Sequence, residues 1–376
     1  MSRFLRRTAL SALALTSTLA VAQHYNVTTL VTNASDASLV NPWGLSRGSG
    51  TPWWASDNAT GVATLYLGNG TKVALTVTIP AAKSGTTGSP TGTIFNGSAT
   101  DFLIAPGEPA RFLFATIDGL IVGWNNPPQG AVKLVTTTDG SSYTGLSSAT
   151  VKGKRYLYAA NFTKGRVDVY DNTFQPAHWD DEGDHSEDEG EDRGAFVDDS
   201  LPRNFVPFNV QTIGNDIVVT YALHEDGNPF ETDGPGLGRV DVFSAKGRLL
   251  TRLEHGDWLN APWGVALAPL DFGVFSHDLL IGQFAGGGDT QSSGFVAAYD
   301  LATGRFKGLL EDTSGNPLSI KGVWDISPGN TGPANFDSAG APSGELYFAA
   351  GPNHGSGGVF GHITAAATDL IQGNDQ

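Results

Sequence analysis

The chain reads as an all-β protein, a six-bladed β-propeller. Three observations predict this: short β-type runs with no helical period, a turn-and-strand opener that recurs six times, and a leading strand placed to close a ring. Runs rich in Val, Ile, Leu, Phe and Tyr are cut by Gly, Asn, Asp and Pro, with 49 glycines and 20 prolines among 376 residues. Past the first two dozen residues no window holds an i, i+3, i+4, i+7 apolar stripe. That is the pattern of sandwiches, barrels and propellers.

Internal repetition selects the propeller. The opener Asn41-Pro42-Trp43-Gly44-Leu45 recurs as Ala261-Pro262-Trp263-Gly264-Val265 and more loosely as Val206-Pro207-Phe208-Asn209-Val210. Weaker copies begin near Pro109, Tyr143 and Lys321, the last two keeping a glycine before an apolar residue in Gly145-Leu146 and Gly322-Val323. A strand, a polar loop and a second strand follow. Arg166-Val167-Asp168-Val169-Tyr170 has near copies in Arg239-Val240-Asp241-Val242-Phe243 and Phe295-Val296-Ala297-Ala298-Tyr299. The alternation sets valines on one face and polar side chains on the other. Six openers define blades over residues 41–80, 103–136, 144–174, 205–253, 262–310 and 320–365. The segment from His24 to Val31 precedes the first opener and reads as a strand. It is expected to complete the last blade beside Gly358–Ile363, which removes free sheet edges.

Residues 1–22 have the form of a secretory signal: Arg3, Arg6 and Arg7, then an apolar stretch, then Ala20-Val21-Ala22. Cleavage after Ala22 leaves a propeller over residues 23–365 and a polar tail over 366–376. No later stretch has the roughly 18 apolar residues of a membrane helix, so no membrane span is expected. Cysteine is absent, which excludes disulfides, thiolate metal sites and cysteine nucleophiles. A secreted chain without disulfides must rely on its core. The formal charge of −16 repels phosphate backbones and argues against nucleic-acid partners. Eleven of the acids lie in residues 178–199, a low-complexity acidic loop expected between blades three and four.

The two Pro-Trp-Gly openers resemble the Pro-x-Gly-Val/Ile start of NHL-type propeller repeats. Over residues 24–365 the pattern is similar to an uncharacterised family of exported NHL-like propellers, some with a PEP-CTERM sorting tail. This chain ends in a short polar tail without an anchor, which favours free secretion. The resemblance implies a fold and carries no assigned chemistry.

Candidate chemistry comes from the loops that leave the second strand of each blade. Aligned blades place Asp57, Asp118, Asn161 and Gln283 there, with Asn353-His354 in the last blade. Convergent oxygens of this kind suit Ca²⁺, and such a cation can polarise a lactone carbonyl. The same residues also make tight turns. His354, in a glycine-rich loop, is the candidate catalytic base or ligand. Gly44-Leu45-Ser46-Arg47-Gly48 matches Gly-x-Ser-x-Gly, but no helix can follow it, so it is no nucleophile elbow; Ser46 is expected to face solvent from a strand. Trp43, Trp263 and Trp324 are expected to pack between neighbouring blades, while Trp53 and Trp54 are candidates for exposed contact. Sequons at Asn26, Asn33, Asn58, Asn69, Asn96 and Asn161 mark candidate glycosylation sites. Two functions fit. One is a monomeric extracellular module that binds a glycan, small molecule or protein. The other is a lactonase-like hydrolase or lyase with a divalent cation at the channel mouth.

Overall fold

The computed structural model describes residues 24–126, 130–179, 195–285, 294–329 and 344–367. The signal segment, most of the acidic loop and most of the polar tail lie outside the described residues. Strand β1 (Tyr25–Thr32) opens the chain, and six sheets follow around one axis. Blade one is β2 (Pro42–Ser46), β3 (Trp53–Asp57), β4 (Val62–Tyr66) and β5 (Lys72–Thr78). Blade two starts with β6 (Pro90–Phe95). A hairpin of β7 (Leu103–Ala105) and β8 (Glu108–Pro109) interrupts it before β9 (Phe112–Thr116), β10 (Leu120–Trp124) and β11 (Val132–Thr136). Blade three is β12 (Tyr143–Val151), β13 (Lys154–Asn161) and β14 (Arg166–Asp171). Blade four is β15 (Phe205–Ile213), β16 (Asp216–Leu223), β17 (Gly238–Phe243) and β18 (Leu249–Arg252). Blade five is β19 (Pro262–Leu267), β20 (Leu279–Gln283), β21 (Val296–Tyr299) and β22 (Phe306–Leu309). Blade six takes β23 (Val323–Pro328), β24 (Glu345–Ala350) and β25 (Val359–Ala365).

Every blade is antiparallel. Its innermost strand packs on those of both neighbours: β2 on β6, β6 on β12, β12 on β15, β15 on β19, β19 on β23, and β23 back on β2. The ring closes as expected, for β1 pairs with β25 and sets Val27 opposite Ile363 and Thr28 opposite His362. Tyr25 secures this seam. Its buried ring lies 4.7 Å from Phe272, and its hydroxyl donates to the Phe272 carbonyl at 2.9 Å.

The ladder corrects two blade limits. Blade two begins at Pro90, because Pro109 lies in the inserted hairpin and Pro90-Thr91-Gly92 carries the opener. In blade six, Asp325 and not Gly322 fills the glycine slot, since Val323 pairs Ala350 before the bulge and Ile326 pairs Phe348 after it. The same bulge recurs in all six innermost strands, one step after the first residue of the opener, counted from Pro42 and its equivalents. A bulge sharpens local twist, which lets a strand splay away from the axis.

The apolar core is divided accordingly. Six buried clusters lie between adjacent blades, such as Trp54, Phe112, Phe114 and Trp124 between blades one and two. Trp53 joins Tyr347 and Phe360 in the cluster between blades six and one. Neither Trp53 nor Trp54 is an exposed contact: they are 0 % and 2 % exposed. Ser46 is buried as well, and does not face solvent. In a propeller both faces of a sheet meet neighbouring blades, so strand alternation exposes little there. A seventh cluster stands on the axis.

Candidate binding site at the channel mouth

Each innermost strand runs away from one mouth of the ring and the second strand returns to it. The openers and the loops after the second strands therefore meet at that mouth. The second residues of the openers face the axis. Four of them, Trp43, Phe208, Trp263 and Trp324, form one buried cluster. Trp43 stacks on Trp324 with centroids 3.7 Å apart, and Trp263 stands edge-on to both at 6.1 Å. These indoles do pack between neighbouring blades, six against one and five against six, and they do so at the axis. The Trp263 indole N–H donates to the Thr144 carbonyl at 3.0 Å, from blade five to blade three across the axis. The Trp324 indole N–H donates to Asn41 Oδ1 at 2.9 Å. The channel is thus plugged.

The third residues explain how the inner strands come so close. A Cβ on Gly44 would lie 2.7 Å from the Thr91 carbonyl, and one on Gly264 would lie 2.6 Å from the Trp324 carbonyl. Gly92 and Gly145 face the next blade in the same way. Where the slot is not glycine, the side chain bridges the gap. Asn209 donates to the Trp263 carbonyl at 2.7 Å. Asp325 accepts from the Leu45 N–H at 2.7 Å and the Ile326 N–H at 2.9 Å. Burial pushes the Asp325 carboxyl up to about 7, against the pull of those two donors.

Above the plug, exits from the second strands build a floor and wall. Phe284 is half-buried and stacks on Trp324 at 4.3 Å. His224 lies over Phe162 at 4.6 Å. The segment 224–237, between β16 and β17, leans in from blade four. The Gly234 N–H donates to Asn260 Oδ1 at 2.8 Å, and the Asn260 N–H donates to Gln283 Oε1 at 2.5 Å, which ties the segment to the blade-five opener. It carries Glu231 and Asp233. Glu231 and Asp233 are both half-buried. Burial first, then the Asp233 charge, pushes the Glu231 carboxyl up to about 7. Burial likewise lifts Asp233 to about 6, opposed by His354, which reaches the mouth from blade six. Several buried polar atoms here have no hydrogen-bond partner among the described residues: Asp233 Oδ1, Thr232 Oγ1, Trp43 Nε1, Gln283 Nε2 and both carboxyl oxygens of Asp57.

The predicted oxygen donors occupy the expected register but are not brought together. Asp57, Asn161 and Gln283 sit opposite the first residues of their openers, Pro42, Tyr143 and Pro262. In blade two that slot belongs to Thr116, with Asp118 two residues beyond. Asn161, Gln283 and Asp118 are engaged within their own blades or the loops leading into them. Asn161 donates to Ser141 Oγ at 2.9 Å and to Asp168 Oδ2 at 2.7 Å. Asp118 accepts from the Ala82 N–H and from Thr116 Oγ1. Asp57 is fully buried with neither carboxyl oxygen hydrogen-bonded among the described residues, and burial pushes its carboxyl well above the usual range. Among the described residues no three His, Cys, Asp or Glu side chains gather as a metal site would require. Asn353 and His354 are exposed, with positive φ of 56° and 55°. Of the sequons, Asn26, Asn33 and Asn69 are exposed. Asn58 is half-buried and donates to the Pro90 carbonyl at 3.1 Å. Asn96 and Asn161 are buried; the Asn96 amide donates to the carbonyls of Asp101 and Ala110. Sequence reasoning missed Glu231 and Asp233, because the segment that bears them has no counterpart in the other blades.

Fold and mouth together define a six-bladed propeller with a plugged axis and two half-buried carboxyls at one mouth. No known family pattern matches the chain. It is similar to three uncharacterised proteins of Acanthamoeba polyphaga mimivirus. One is 26% identical over 341 residues, covering 87% of this chain and 81% of that protein. Another is 24% identical over 342 residues, covering 88% and 76%. The third is 27% identical over 251 residues, but the match spans only 42% of that longer protein. Among solved structures, a streptogramin B lyase aligns over 92% of this chain at 11% identity with a TM-score of 0.46. A PQQ-bound aldose sugar dehydrogenase from Streptomyces coelicolor aligns over 91% at 11% identity, with a TM-score of 0.49. The architecture rests on the strand topology of this chain itself. Among the described residues no helix is long and apolar enough to cross a membrane.

Proposed function

We propose that this is an exported binding propeller that takes an extracellular glycan at the plugged mouth. The carrying observation is the mouth itself. It sets Phe284 and the edge of the indole stack beside two carboxyls, an imidazole and an indole N–H that no described residue accepts from. Flat aromatic faces with a few directed polar groups suit a ring that is apolar on its faces and hydroxylated at its rim. The signal-like residues 1–22 and the exposed sequons at Asn26, Asn33 and Asn69 support export and glycosylation. A thermal-shift and calorimetric screen against neutral, acidic and amino oligosaccharides tests the reading. Saturable binding that weakens when Phe284 is changed to Ala is expected. A flat panel would overturn it.

A second reading keeps the same mouth as the active site of a hydrolase or lyase. One observation favours it: burial and the Asp233 charge hold Glu231 up to about 7, as an acid or base for work near neutrality would be, and His354 acts in turn on Asp233. Ca²⁺ at this mouth, if bound, would meet these carboxylates rather than the dispersed Asp57, Asp118, Asn161 and Gln283. Measuring product release from the same panel separates turnover from binding.

A further inference from the structure

We infer that the mouth selects glycans carrying a free amino group, an inference that rests on the glycan-binding reading above. The floor supplies aromatic faces, and the wall supplies two carboxyls. Among the described residues Asp233 is the charged group that acts on Glu231, and His354 the one that acts on Asp233; no lysine or arginine answers either. Burial holds protons on both carboxyls, and the Asp233 charge adds to this at Glu231; a cation placed beside them offsets both effects. A protonated amine on a sugar is such a cation. It carries three donors, matching Asp233 Oδ1 and the neighbouring Thr232 Oγ1, both buried and unpartnered.

The second observation is independent of the acids. Trp43, only 6 % exposed, has an indole N–H with no acceptor among the described residues, while the two indoles beside it are both satisfied. An unanswered donor at the floor calls for a ligand oxygen. A simple metal cation or a hydrocarbon amine has none to offer, whereas a hydroxyl or ring oxygen of an amino sugar does. Cationic and oxygenated ends on one small body fit the acidic wall and the indole floor together. Aromatic faces next to the ammonium add cation–π attraction.

The probes are three tetramers of one linkage, built of glucosamine, of N-acetylglucosamine and of glucose, titrated calorimetrically at pH 6.5 into the full mature chain. The glucosamine tetramer is expected to bind at least about tenfold tighter than the other two. Binding should release protons, seen as a dependence of the heat on buffer ionisation enthalpy, because the amine displaces protons held by Glu231 and Asp233. In Glu231→Gln and Asp233→Asn the preference for the glucosamine tetramer and the proton release should both collapse. Equal affinity for all three tetramers would overturn amine selection and leave the glycan reading standing. A preference unchanged in both variants would overturn the siting. No binding by any tetramer would instead overturn the glycan reading itself. A thermal unfolding scan of each variant shows that it is folded before titration.

Discussion

Replacing Gly264 by Ala should destabilise the protein, while the same change at Gly282, directly opposite it in the β19–β20 ladder, should not. Neither glycine has a positive φ, so backbone conformation does not separate them. Space does. A Cβ on Gly264 would sit 2.6 Å from the Trp324 carbonyl oxygen and 3.0 Å from the Ile326 nitrogen. Both are backbone atoms of the next innermost strand, so relief means moving blade six outward. A Cβ on Gly282 finds its nearest neighbour, Ile326 Cγ2, at 3.4 Å, an ordinary contact. Overpacking costs about 1–3 kcal/mol, and a backbone obstacle belongs at the upper end. Both changes recover about 0.4–1 kcal/mol by restricting the unfolded chain. The expected net loss for Gly264→Ala is about 1–2 kcal/mol, and Gly282→Ala should be neutral or slightly stabilising. Each kcal/mol shifts the melting temperature by roughly 2–4 °C in chains of 150–250 residues, and somewhat less in a longer one. Urea midpoints at constant slope are the primary readout. Equal losses at both sites, or a larger one at Gly282, would refute the claim that the inner strands meet backbone to backbone.

Other predictions follow from the same geometry. Tyr25→Ala should cost about 3–5 kcal/mol, because it empties a buried ring site and orphans the Phe272 carbonyl at the closing seam; denaturant unfolding checks it, and a loss below 1 kcal/mol would show that β1 is not integral to the ring. Stability should fall as pH rises from about 4 to about 7 and then level. Asp241 and Asp325 are both held up to about 7, so the folded state keeps protons that the unfolded chain gives up near 4. That contribution is complete below the unfolded value and is lost through the folded one. Asp325→Asn should flatten this slope in pH-dependent urea unfolding, whatever its absolute cost, and an unchanged slope would remove Asp325 as a source.

The fold was legible because three constraints coincide in the opener. Proline starts the strand, an aromatic fills the axis, and glycine lets the next blade approach. Where all three appear, at Pro42-Trp43-Gly44 and Pro262-Trp263-Gly264, sequence and structure agree. Blade two was misplaced because Thr91 stands where the aromatic is expected, and the inserted hairpin offers Pro109 as a decoy. Asp325 replaced the glycine by bridging the gap instead of vacating it, a solution that no local pattern announces. At the mouth, register was readable but direction was not. Asp57, Asn161 and Gln283 hold one equivalent slot, yet Asn161 and Gln283 turn to partners inside their own blade or entry loop and Asp57 is sealed in without one. Glu231 and Asp233 come from a unique insertion, and repetition cannot reveal what does not repeat.

The plug leads to a last pair of variants that separates scaffold from site. The Trp263 indole N–H reaches across the axis to Thr144, so Trp263→Phe leaves a buried carbonyl unpaired, at about 1–3 kcal/mol beyond the lost packing. Trp43 occupies the equivalent place in blade one and stacks on the same Trp324, but its N–H meets no described acceptor. Trp43→Phe therefore removes ring area and no internal hydrogen bond, and should cost clearly less in stability. If the free N–H exists to meet a ligand, the order reverses in binding: Trp43→Phe should weaken oligosaccharide affinity several-fold, while Trp263→Phe, once folded, should leave it nearly intact. Parallel unfolding and titration of the two variants decides the matter. Matching losses in both assays would mean that the axial indoles act only as filler, and that recognition does not reach the floor of the mouth.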